Sequence, residues 1–137
     1  MLPLHGMPIS DDDGEVLRVL IAMTRADDDV DPDELESVGT AYRRITGAAP
    51  QAAAIERETA ALRADEGAWL PVARALGGRL GDDDRARLLT AAFEVAVADG
   101  FVLDEEDKLL ATLAGALGMN EASYRQTIDK LVASVQR

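Results

Sequence analysis

Apolar positions recur at helical spacing along most of this chain. The stretch EVLRVLIAMTRA, from residue 15, is apolar on most faces, which predicts a central, buried helix. Residues Ser10 to Asp13 offer N-caps before it, and 26–31 interrupt it. A second helix follows from Pro32, with Leu35, Val38, Tyr42 and Ile45 at spacings of 3, 4 and 3. Gly47 and Pro50 end it and open the next. The third, over 51–64, is rich in Ala, with a modest apolar face at Ile55 and Leu62. Trp69, Val72, Ala73, Leu76 and Leu80 form the stripe of a fourth, whose fraying end is marked by Gly77, Gly78 and Gly81. Asp82 to Asp84 supply caps for a fifth, RLLTAAFEVAVA, again apolar on most faces and closed by Asp99 and Gly100. A sixth begins near Asp104 with Leu109, Leu110, Leu113 and Leu117 inward, and Gly118 stops it. Asn120 caps a seventh that carries Tyr124, Ile128, Leu131 and Val135 on one face. The two apolar helices, over 16–25 and 88–98, are predicted to pack together at the core.

The expected fold is therefore all-α, with about seven helices. Residues 1–10, with Pro3, Pro8, Gly6 and no period, read as a loose tail, and 11–137 as one domain. Composition supports this. Hydrophobic residues make up 47% but aromatics only 4%, so Ala, Leu and Val form most of the core. Strands favour β-branched and aromatic residues instead.

Charge and missing residue types narrow the function. Net charge is −12, which repels phosphate backbones and argues against direct nucleic-acid binding. The stretch 43–87 holds eight basic and seven acidic side chains, net +1; the flanks hold six and nineteen, net −13. The neutral middle is thus the expected surface for a protein partner. There is no cysteine, which removes disulfides and thiolate chemistry. His5 is the only histidine and lies in the tail, so a histidine base or transition-metal site has no ligand set. The glycines at 77, 78 and 81 lack the following Lys of a phosphate-binding loop. No apolar run spans a bilayer, and the first ten residues lack the basic start of a secretory signal. A cytoplasmic location, with no membrane insertion, is expected.

One unit occurs twice. Ala26-Asp27-Asp28-Asp29-Val30-Asp31-Pro32-Asp33-Glu34 aligns without a gap on Ala98-Asp99-Gly100-Phe101-Val102-Leu103-Asp104-Glu105-Glu106, at an offset of 72. Ala, Asp, Val and Glu coincide, and each unit joins an apolar helix to an amphipathic one. The fold is thus expected to contain a pseudo-repeated helix–acidic turn–helix corner.

Two readings of these corners stand side by side. Asp31-Pro32-Asp33-Glu34 makes a good capping box, which contributes about 1 kcal/mol and needs no ion. In the second copy the same frame puts Leu103 at the cap position, which it cannot fill. A shift of one residue makes Asp104 the cap and Asp107 its partner, leaving Glu106 unexplained. Asp27 and Asp99 each follow a helix C-terminus, where the dipole disfavours negative charge by roughly 0.3–1 kcal/mol. Such an acid needs a hydrogen-bond donor, a basic neighbour or a cation. Asp27, Glu34, Asp99 and Glu106 are therefore candidate oxygen ligands for Ca²⁺ or Mg²⁺, either in separate sites or sharing one ion. The alternative is a purely structural corner. An enzyme built on paired carboxylates is a remote third possibility.

The pattern Ala-Asp-Gly-x-Val-x-x-x-Glu between two helices resembles the tellurite-resistance TerB family. The second copy matches well, and the first departs by having Asp28 in place of Gly. The resemblance covers most of the chain from about residue 13. It implies an all-helical fold of about seven helices with two such units. It further implies an acidic, cation-binding, non-enzymatic interaction module in a stress or membrane-associated system. The family has no established catalytic activity.

Overall fold

A computed structural model describes residue 9 and residues 14–24, 32–96 and 104–135. Among these the chain forms seven α-helices and no strand: α1 (Glu15–Ala22), α2 (Pro32–Thr46), α3 (Ala52–Ala64), α4 (Trp69–Arg79), α5 (Asp82–Ala96), α6 (Asp104–Ala116) and α7 (Glu121–Val135). A single 3-10 turn, Glu66–Ala68, leads into α4.

The two helices that read as apolar on most faces are the hubs. α1 touches α2, α3, α4 and α5; α5 touches α1, α2, α6 and α7. The expected contact between them is present. Val16, Leu17, Val19, Leu20 and Ile21 of α1 are buried, as are Leu88, Leu89, Ala92 and Phe93 of α5. A helix with neighbours on most sides needs apolar residues on most faces, which accounts for the wide apolar surface of these two. The outer helices bury only stripes: Val38, Ala41 and Ile45 of α2, Trp69, Ala73 and Leu76 of α4, Leu110 and Leu113 of α6, Tyr124 and Ile128 of α7. Trp69 is thus a core residue.

Three local expectations are corrected. Gly77 does not mark a fraying end. It is buried in α4, and a Cβ there would lie 2.5 Å from the Leu117 carbonyl oxygen. The glycine lets α4 pack against the backbone at the end of α6. The carbonyl of Gly77 itself is held from α5, where Arg85 Nε and Nη2 donate to it at 3.1 and 2.7 Å. Asp82, Asp83 and Asp84 are not caps before α5 but its first turn. There they meet the positive end of the dipole, and Asp82 and Asp84 accept from Arg85 and Arg87 three residues on. At α1 the N-cap position belongs to Gly14, at φ 74°, and the expected caps Ser10 to Asp13 lie outside the described residues.

Ile9 falls within the stretch read as a loose tail, yet it is buried. Its N–H donates to Ile45 O at 2.7 Å. That carbonyl is one of the last four of α2, which have no partner within the helix. Asn120 does cap α7 as expected, its Oδ1 accepting from Ser123 N at 2.7 Å.

Candidate functional site

The helices that follow the two acidic turns start at Pro32 and Asp104, which are 72 residues apart. Glu34 and Glu106 are therefore each the third residue of their helix. In this frame Asp104 opens α6 rather than capping it, and the residue before it is Leu103, which has no capping side chain. Asp27 and Asp99 lie outside the described residues, as do the rest of both turns, 25–31 and 97–103.

The flanking helices show where those turns attach. Glu36, Ser37, Thr40, Ala41 and Arg44 of α2 share a cavity of about 220 Å³ with Glu94, near the end of α5. Arg44 and Ile45, near the end of α2, share one of about 480 Å³ with Ala86, Arg87, Thr90 and Ala91 of α5. The two helices thus run in opposite directions, and an Arg44–Glu94 ion pair crosses between them. The start of α2 stands beside the end of α5. The turn entering α2 and the turn leaving α5 are attached at the same end of this pair.

The electrostatics at that end bear on the acids. Neither α1 nor α5 carries a basic residue in its last turn. Asp27 has Arg25 two residues before it in the sequence, whereas no base occurs between Arg87 and Lys108 around Asp99. Along the sequence, Asp99 thus has fewer basic neighbours than Asp27. Among the described residues, no group of three or more acidic or histidine side chains gathers closely enough to hold a metal ion. The four candidate ligands lie in the turns or within the first helical turn after them. Their donor set is all oxygen, which suits a hard divalent cation.

A buried carboxylate that the helical pattern did not single out lies elsewhere. Glu58 of α3 is 2% exposed. Arg18 Nε of α1 donates to its Oε1 at 2.6 Å, and Arg57 Nε to its Oε2 at 3.3 Å. The carboxylate lies over Gly14, where a Cβ would come within 3.0 Å of Glu58 Oε2. This ion pair ties α3 to the start of α1, and both carboxylate oxygens are occupied by arginine. It is a structural lock rather than a ligand site. The signal was available: Ile55, Glu58 and Leu62 follow at spacings of 3 and 4, so Glu58 sits on the apolar stripe of α3.

The groove between α2 and α5 has a different character. Ile45, Ala86, Thr90 and Ala91 line its larger cavity, with Arg44, Arg87 and Glu94 at the rim. The rim charges are engaged, Arg44 with Glu94 and Arg87 with Asp84. The two ends of the neutral stretch 43–87 thus meet in one groove.

Among the described residues, an all-α bundle built on two central helices defines a class of small helical domain. Within that class the chain belongs to the TerB family: the family model described as "Tellurite resistance protein TerB" matches residues 14–128. No curated protein and no solved structure matches the chain.

Proposed function

We propose that this TerB-family domain is a non-enzymatic interaction module that holds a divalent cation, Ca²⁺ or Mg²⁺, between its acidic corners. Asp27, Glu34, Asp99 and Glu106 supply the ligands. The observation that carries the reading is the position of the start of α2 beside the end of α5. That arrangement attaches both turns at one end of the helix pair. Carboxylates gathered there repel each other, and a cation offsets both that repulsion and the unfavourable helix dipoles. The ion then ties together the ends of the two hub helices, so its binding is felt in the core. The family match supports a role in a tellurite-type or other stress system, or in a membrane-associated one, with a protein as partner.

A second reading, a scaffold without an ion, draws on the first corner. Glu34 stands at the third helical residue after Asp31, where a capping box needs it. The two readings separate by calorimetric titration of chelator-stripped protein with Ca²⁺, Mg²⁺ and Mn²⁺. The cation reading expects saturable heat that Glu106→Gln reduces strongly and Glu34→Gln reduces less, since Gln still completes a capping box. No heat with any of the three ions, together with no bound metal in elemental analysis of the unstripped protein, leaves the scaffold.

A further inference from the structure

The groove between α2 and α5 is apolar in its middle and acidic at both ends. Ile45 and Ala91 are buried in its floor, with Ala86 and Thr90 half-buried beside them. Its rim arginines are engaged, Arg44 by Glu94 and Arg87 by Asp84, and Asp82 is met by Arg85. Two exposed carboxylates are left over. Asp83, in the first turn of α5, and Glu36, near the start of α2, make no ion pair with any described residue. Asp83, Arg87, Thr90 and Glu94 follow at spacings of 4, 3 and 4, so they share one face of α5. Glu36 shares a cavity with Glu94. Asp83 and Glu36 therefore stand at opposite ends of the groove, roughly 16 Å apart at 1.5 Å per residue over 83–94. We propose that this groove is the docking site for a cationic amphipathic helix of a partner protein, with an apolar stripe for the middle and a basic residue for each end.

Charge and dimensions agree on this occupant. The chain carries a net charge of −12, so its field draws in a basic partner and repels a second copy of itself. Two bases about eleven residues apart on one face of a helix span the same 16 Å. The apolar residues between them lie on that face at helical spacing. Ala86, Thr90 and Ala91 are small, so the floor receives a larger apolar side chain from the partner. The apolar contact then supplies affinity, while Asp83 and Glu36 set the register and the sign of charge accepted. The docking site rests on the interaction-module reading above and needs no cation.

The test uses a synthetic, fluorescently labelled helical peptide of about 15 residues, with Leu at helical spacing and an Arg toward each end. Binding to the full chain is followed by anisotropy in chelator at about 0.15 M salt, where charges more than about 8 Å apart are largely screened. Saturable binding to the wild type is expected. The double variant Asp83→Asn, Glu36→Gln is expected to bind at least about fivefold more weakly. Glu56→Lys, at an exposed position of α3, changes the net charge by the same two units and is expected to bind like the wild type. Melting curves confirm that each variant is folded. No binding by the wild type overturns the proposal, as does equal binding of the same peptide with Glu in place of Arg. Equal weakening in Glu56→Lys and the double variant reduces the effect to the general field of an acidic chain. A wild-type dimer in sedimentation that the peptide dissociates assigns the groove to a second copy instead. Because chelator is present throughout, failure here leaves the cation reading untouched, and failure of the cation reading leaves this result standing.

Discussion

Adjacent residues of one type can have opposite roles here. Gly77 and Gly78 are neighbours in α4, and both have ordinary negative φ. At Gly77 a Cβ meets the backbone of Leu117 at 2.5 to 2.8 Å, and backbone cannot step aside as a flexible side chain can. At Gly78 nothing lies within 4 Å. Gly77→Ala is expected to cost about 2 kcal/mol or more, overpacking outweighing the better helix propensity of Ala. Gly78→Ala is expected to stabilise by about 0.5–1 kcal/mol for the same propensity reason. Opposite shifts in melting temperature check the pair. Glu58 is the other residue whose environment decides its effect. Glu58→Ala strands Arg18 at the α1–α3 contact, and breaking a buried pair costs about 3–5 kcal/mol. Arg18 keeps 27% of its side chain in solvent, so a loss nearer 2–3 kcal/mol is expected in urea unfolding. Wild-type stability for Glu58→Ala would show that the ion pair does not hold α3.

Helix ends were legible where two signals coincide. The apolar stripe stops where a turn residue begins. Gly47 and Gly118 take φ of 82° and 87°, a region that glycine enters without a Cβ penalty, and both lie just past a helix as expected. Asn120 at the start of α7 is the clearest cap. Asn120→Ala is expected to cost about 1 kcal/mol, seen as a lower melting temperature. Asn120→Asp is expected to cost little, because Asp accepts the same Ser123 N–H. Features set by tertiary contact were not legible in the same way. The Gly77 crossing depends on Leu117, forty residues later, and no local pattern points to it. Ile9 looked like tail because a single anchored residue has no period. Glu58 hid because an acid in an apolar stripe is ordinarily read as a break in the stripe, not as a paired group.

At the scale of the whole molecule, α1 and α5 hold the core and each leads into an acidic turn. The candidate ligands were named from residue type and spacing alone. The antiparallel packing of α2 on α5, which bears on whether the corners converge, came only with the structure. The central claim is that a divalent cation links the corners and stabilises the native state. A ligand that binds only the folded form adds about 2.7 kcal/mol at 100 times its dissociation constant, roughly 10 °C in a domain of this size. The most direct measurement is the melting temperature of chelator-stripped protein with and without millimolar Ca²⁺ or Mg²⁺, for the wild type and for Asp99→Asn. The cation account predicts a rise of several degrees in the wild type that Asp99→Asn abolishes, with the ion-free variant no less stable than ion-free wild type. An unchanged wild-type melting temperature, or the same rise in Asp99→Asn, would contradict it.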